Sequence, residues 1–213
     1  MLTVQSFTFN PASENTYVIY NEKGNAIIID PGCYFSEEQR TLQTFIETKK
    51  LTPVQLINTH CHLDHVFGNK WVYKTYGLEL HLNPQEKQVL DFAPQSAQRW
   101  GLSIDNYTGP LHFIDEDTVI FLDDDQFSVL LTPGHSPGSL SFYCEKQGFV
   151  ISGDVLFKES IGRTDLPGGD FDTLITSIQT KLFTLPPTTL VYNGHGSTTT
   201  IGHETKNNPY LRG

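Results

Sequence analysis

One pattern recurs along this chain and restricts what it can fold into. A short apolar or β-branched run stops at a loop of glycine, proline or asparagine, and that loop carries an aspartate or a histidine. Ala26–Ile29 stops at Asp30-Pro31-Gly32, and Val54–Asn58 runs into Thr59-His60. Leu130-Leu131 leads through Thr132-Pro133-Gly134 to His135, Ile151-Ser152 to Gly153-Asp154, and Leu190-Val191-Tyr192 through Asn193-Gly194 to His195. Functional side chains collect on loops held by a rigid sheet, and glycine lets the backbone come close to whatever they bind.

The runs between these stops read as strands and helices. Leu2–Phe9 and Thr16–Tyr20 are β-rich, and Asn21-Glu22-Lys23-Gly24 reads as a hairpin turn into Ala26–Ile29. Ser36 with Gln39 reads as a capping box. Behind it Leu42, Phe45 and Ile46 recur at helical spacing, with Lys49 and Lys50 at the C-terminal end. A similar unit follows later: strand Gly138–Phe142, turn Cys144–Gly148, strand Phe149–Ser152. An amphipathic helix is then expected over Asp170–Phe183, with Leu174, Ile175, Ile178 and Leu182 on one stripe, and a last strand over Thr188–Tyr192. Two strand-rich halves, each followed by a helix, predict an α/β fold: two mixed sheets covered by helices in a four-layer αββα sandwich, as one domain over residues 1–213. Asn83–Pro110 begins helically and is interrupted at Pro94. With Phe92, Trp100 and Tyr107 it reads either as ordinary core and surface or as a lid or dimer contact.

Charge narrows the partners. Lys plus Arg number 14 and Asp plus Glu 24, a formal net charge of −10, and the cations are scattered, so nucleic acid is not expected. Aromatics at 12 % and charged residues at 18 % exclude a disordered chain or a coiled coil. The start, Met1–Asn10, has no basic segment followed by an apolar run, and no stretch approaches the roughly 18 apolar residues that span a membrane. A cytoplasmic protein with no membrane partner is expected, and its oligomeric state is not legible. Three cysteines, Cys33, Cys61 and Cys144, are too few for a disulfide scaffold.

The densest signal is His60-Cys61-His62-Leu63-Asp64-His65. After a strand, His60 and His62 point to one side by alternation, and a turn into a helix near Asp64 would aim Asp64 and His65 at a neighbouring position. Two-metal hydrolytic sites need such neighbouring positions, about 3.5–4 Å apart. By the same alternation Cys61 points away from the metals and reads as a buried thiol. Cys33 faces either the core or the cleft. His81, His112 and His203 lack motif partners and read as satisfied or solvent-facing.

The string Thr59–His65, with His135, Asp154 and His195 at these separations, resembles the metallo-β-lactamase superfamily over essentially the whole chain. Within it, Gly153–Phe157, Gly162-Arg163-Thr164-Asp165, Gly194-His195-Gly196 and the closing Asn208-Pro209-Tyr210-Leu211 are similar to short bacterial glyoxalase II-like hydrolases. The resemblance implies one metal held by His60, His62 and His135, a second held by Asp64, His65 and His195, and Asp154 bridging both. The catalyst would be a metal-bridging hydroxide attacking a thioester of the S-D-lactoylglutathione class, a small-molecule substrate. Two divalent ions are expected, zinc or iron or both, with manganese also compatible, because imidazole and carboxylate donors suit all three. Asp30 is expected to brace a metal-bound histidine, and Arg163 with Asp165 to hold the loop after Asp154. No substrate-binding residue is legible.

Asp154 stands where a secreted β-lactamase class places cysteine, which argues against an antibiotic-degrading role. Full-length glyoxalase II enzymes add a helical C-terminal region with glutathione contacts, whereas this chain ends soon after His195, so no such extension is expected. Persulfide dioxygenases resemble the same strings. They imply a single iron on His60, His135 and Asp154, but they follow the last histidine with an acidic residue where this chain has Gly196. Outside catalysis, a metal-holding fold that serves a partner would predict bound metal without turnover.

Overall fold

A computed structural model describes residues 1–211, whose contacts group into two compact units: Met1–Ile114 with Leu122–Asp124, and Asp115–Phe121 with the chain from Asp125 onward. The first unit is built on a six-stranded sheet in the order β1 (Thr3–Phe9), β2 (Glu14–Tyr20), β3 (Asn25–Ile29), β4 (Thr52–Ile57), β5 (Leu80–Leu82) and β6 (Leu111–Phe113). β1 to β3 pair antiparallel and β3 to β6 parallel, so the sheet is mixed. The β2–β3 turn forms because the Asn21 Oδ1 accepts the Lys23 N–H at 3.0 Å and Gly24 takes a left-handed φ of +85°.

Parallel pairing of β3 with β4 requires a crossover, and helix α1 (Ser36–Thr48) provides it. Leu42 and Ile46 of α1 bury in one core with Val18, Ile28 and Leu56. The cap differs from the expected Ser36 and Gln39 box. Phe35 is the N-cap, and Glu38 does the capping: its Oε2 accepts the N–H groups of Tyr34 (2.8 Å) and Phe35 (3.0 Å), and its Oε1 accepts from Asn10 N at 2.7 Å. Phenylalanine has no oxygen to return a bond, so the box is one-sided.

Two short helices follow β4, α2 (Leu63–Val66) and α3 (Asn69–Tyr76), and then α4 (Lys87–Arg99). The interruption expected at Pro94 does not occur; α4 runs straight through it. Proline cannot donate to the Leu90 carbonyl one turn back, and the Asn106 Nδ2 donates to that carbonyl instead, at 2.7 Å. The aromatics of this stretch divide between core and surface. Tyr107 is buried with its hydroxyl bonded to Pro110 O and Leu80 N, Phe92 lies half-buried under the Arg99 guanidinium, and Trp100 is 64 % exposed.

The second unit carries a mixed sheet of six strands: β7 (Val119–Leu122), β8 (Asp125–Leu131), β9 (Leu140–Cys144), β10 (Phe149–Gly153), then β13 (Leu190–Asn193) and β14 (Thr199–Thr200). A ribbon of β11 (Leu156–Phe157) and β12 (Ser160–Ile161) stands between β10 and helix α5 (Phe171–Ser177), and helix α6 (Ile201–Asn207) follows β14. Over the stretch expected as one helix, Asp170 is the N-cap, accepting the Thr173 N–H at 2.8 Å. The α-helix ends at Ser177 and continues as a π-turn over Ile178–Leu182. Leu174, Ile178 and Leu182 are all buried, so the expected stripe does face the core.

Each unit therefore repeats one strand order. An antiparallel hairpin (β2–β3, β9–β10) leads through a helix to a strand that pairs parallel with the second hairpin strand (β4, β13). Asp30 and Asp154 end the second hairpin strands, and His60 and His195 follow the parallel ones. Two mixed sheets flanked by helices make up the fold, as expected.

Candidate metal centre

In the first unit the donors lie on the loop and helix beyond β4. His60 and His65 are buried, while His62 and Asp64 are half-buried. The His60 ring lies 4.9 Å from the His62 ring and 4.2 Å from the His65 ring, centroid to centroid. Asp30 organises them. It sits at φ +49°, a left-handed conformation that aspartate tolerates better than most side chains. Its Oδ1 accepts the Thr59 N–H at 2.7 Å and the Asn58 Nδ2 at 3.1 Å. Its Oδ2 accepts the Thr59 hydroxyl at 2.5 Å and lies 3.1 Å from His65 Nδ1.

The Thr59 hydroxyl in turn lies 3.0 Å from His60 Nδ1. With its proton given to Asp30, that hydroxyl accepts from the His60 Nδ1–H. Both rings are thus held through Nδ1, which leaves Nε2 as the ligand atom of each. Asp30, His60 and His65 each offer a ligand atom within 4.8 Å of the others. Both Asp30 oxygens, however, are already engaged by donors, which makes it a brace.

The backbone of this half is fixed from behind. Asn10 Nδ2 donates to Gly32 O (3.0 Å) and Asp64 O (2.9 Å), and Glu86 accepts the Cys61 N–H at 2.7 Å. Glu14 is fully buried, with Oε1 3.9 Å from His65 Nδ1, and desolvation pushes its carboxyl well above the usual range. Only glycine fits at residue 32, since a Cβ there would lie 1.9 Å from Glu14 Oε2. The thiols of Cys61 and Cys33 are buried, and desolvation pushes both upward. Cys33 packs against Gly68, whose added Cβ would meet its sulfur at 2.4 Å, so it belongs to the core.

In the second unit Asp154 is the focus. Its Oδ2 lies 3.5 Å from His135 Nε2 and 3.3 Å from His195 Nε2. His135 is held through Nδ1, 2.7 Å from the Arg163 carbonyl, which again leaves Nε2 for a ligand. Glycines make this possible. Gly134 has φ +127°, and a Cβ there would come 2.3 Å from Leu174 N; one on Gly162 would come 1.9 Å from Asp154 O. A bulge between Ile151 and Gly153 turns the chain out of β10 just before Asp154. Arg163 and Asp165 form an exposed two-pronged ion pair at 2.7 and 2.8 Å, and the guanidinium lowers the Asp165 carboxyl to about 2. What Arg163 gives the site is its carbonyl.

The remaining histidines have other partners. His81 stacks on His112 at 4.8 Å, His112 meets Glu79, and His203 Nε2 lies 2.9 Å from Glu159. Sequence reasoning missed Glu14, Asn10, Glu86 and the Thr59 relay. Only Thr59, adjacent to His60, carried a local signal.

Residues 10–195 match the metallo-beta-lactamase superfamily. The chain belongs to that superfamily. It is 40 % identical over 200 residues to the hydroxyacylglutathione hydrolase GloC of Haemophilus influenzae, covering 93 % of this chain and 92 % of that protein. Among solved structures it is similar to the BLEG-1 B3 metallo-beta-lactamase (38 % identity, TM-score 0.92, 99 % of this chain and 100 % of that one). It is also similar to TTHA1623 in a di-iron-bound form (37 % identity, TM-score 0.89, 98 % and 100 %). The superfamily relationship and these histidine and aspartate groups support a metal-dependent hydrolase. No helix among the described residues is long and apolar enough to cross a membrane.

Proposed function

We propose that this chain is a binuclear metal-dependent thioester hydrolase acting on conjugates of the S-D-lactoylglutathione class. The observation that carries the reading is the near full-length similarity to a hydroxyacylglutathione hydrolase, on a chain whose own donors are all imidazole or carboxylate. The donor set fits. Asp154 Oδ2 beside two imidazole Nε2 atoms is an arrangement that bound cations would stabilise, and no thiolate is offered. His60, His62 and His135 would hold one ion, Asp64, His65 and His195 a second, with Asp154 between them. When bound, the ions supply an acidified water and polarise the thioester carbonyl.

The chain's own residues perform the positioning. Asp30 orients His65 directly and His60 through Thr59, and the Arg163 carbonyl orients His135. Covalent catalysis by a cysteine has no support, because the thiols of Cys33, Cys61 and Cys144 are all buried and pushed upward by desolvation. A thioester suits such a site, since a leaving thiol of pKa about 8.5 departs as an anion without a dedicated acid.

The test is elemental mass spectrometry together with thiol release from S-D-lactoylglutathione. Two ions per chain, with activity and the second ion both lost in His195→Ala, are expected. Full activity in that variant would overturn the two-ion mechanism. One iron per chain with oxygen uptake on glutathione persulfide would replace hydrolysis by dioxygenation, and β-lactam turnover in place of thioester turnover would overturn the substrate class.

A further inference from the structure

The first unit holds a cavity of about 590 Å³ whose lining includes Phe67, the C-cap residue of the donor-bearing helix α2. Three separate stretches form it: the loop entering α1, the α2–α3 junction, and residues 103–105. Its aromatic wall is a contact series. The Tyr34 ring lies 4.9 Å from Phe35 and 4.6 Å from Phe67, and Trp71 stands one turn beyond Phe67. Phe67 caps α2, so the wall begins two residues past His65 and three past Asp64. In the same lining, Lys70 and Lys74 lie one helical turn apart on α3 and share a single carboxylate, Asp105, with Lys70 the more buried of the two cations.

Two ammonium groups against one carboxylate leave a net positive cavity on a chain of net charge −10. A volume of this size suits a small organic molecule, and rings beside cations suit an anion with an apolar or planar body. We infer that this cavity anchors the thiol half of the thioester, the carrier that leaves as thiolate, by its carboxylate or phosphate groups at Lys70 and Lys74 and its apolar portion on the Tyr34, Phe67 and Trp71 rings. This rests on the thioester reading, and it assigns a substrate-binding role to residues for which sequence motifs supplied none. Two carriers share the chemistry, a carboxylate-bearing peptide thiol and a phosphate-bearing nucleotide thiol.

Trp71 is a built-in reporter, since Trp100 is the only other tryptophan and is exposed. In a Trp100→Phe chain, Trp71 emission is titrated with S-hexylglutathione and, separately, with S-ethyl-coenzyme A. Both are thioethers and cannot be hydrolysed. A saturable change with one of them is expected, and which one responds identifies the carrier. Replacing both lysines (Lys70→Ala with Lys74→Ala) weakens that binding about tenfold at low salt, whereas Asp105→Asn tightens it about threefold. No saturable change with either thioether, or an affinity indifferent to all three substitutions, overturns the assignment. The two readings fail separately: a chain that binds a thioether but hydrolyses no thioester keeps the cavity and loses the hydrolase, and one that hydrolyses thioesters without a Trp71 response does the reverse.

Discussion

Asp30→Asn is the sharpest probe of how the metal-binding loop is held. Asparagine tolerates the left-handed φ of +49° at this position, so the backbone is not perturbed and only one carboxylate oxygen changes. Each oxygen of Asp30 takes two donors: Thr59 N and Asn58 Nδ2 on one, the Thr59 hydroxyl and His65 Nδ1 on the other. Whichever becomes an amide NH₂ faces two N–H or O–H groups that it cannot accept. The site is buried, so water does not compensate. Two bonds to a charged group at about 1.5–3 kcal/mol each predict a loss of about 3–6 kcal/mol. With a urea slope of about 2.5 kcal/mol/M, the unfolding midpoint of the chelated chain falls by about 1.2–2.4 M. Because the same bonds orient His60 and His65, metal affinity, read by competition with a chromophoric chelator, falls by about 10–100-fold. A variant within 1 kcal/mol of the parent that also holds metal as tightly would refute the bracing argument.

Three further substitutions test other parts of the molecule. Glu14 has its folded-state carboxyl raised by burial, so the folded chain binds that proton more tightly than the unfolded one; the stabilisation is complete at acid pH and is lost as pH rises through the raised value. Urea unfolding of the chelated chain from pH 5 to 8 should show stability falling with pH, and Glu14→Gln should flatten that slope; an unchanged slope would exclude Glu14 as its source. Gly162→Ala places a Cβ 1.9 Å from Asp154 O, and overpacking of this kind costs about 3 kcal/mol, seen as a lower melting temperature with a reduced metal content. Asn106→Ala removes the donor to Leu90 O and should cost about 1 kcal/mol, but nearly nothing in a Pro94→Ala background, where residue 94 regains an N–H for that carbonyl. Equal costs in the two backgrounds would break this account of how α4 passes Pro94.

Much of the candidate site was legible because its signals are local. Strands end where alternation gives way to glycine and proline, and a donor placed at that stop needs only its neighbours in sequence to be recognised. His60, His135, Asp154 and His195 stand just past strand ends, and His62, Asp64 and His65 follow His60 closely in sequence; the hairpins and the α1 and α5 stripes are equally local. The helix is capped at Phe35, one residue before the Ser36 that residue preference suggests, because the acceptor is Glu38, which also serves Asn10 from 28 residues away.

The remainder depended on partners far apart in the chain. β5 and β6 have three residues each, too few to show a period; β5 exists because β4 pairs beside it, and β6 because β5 does. Pro94 reads as a break until Asn106 reaches Leu90 O. Glu14 is an ordinary acid until burial, against the opposing pull of His65, raises its carboxyl well above the usual range. The cavity of Tyr34, Phe67, Lys70, Trp71 and Asp105 has no counterpart in any single segment. Which side chains can bind metal follows from residue type and local backbone, whereas what orients them and what lies next to them is set by packing between segments that no sequence window contains.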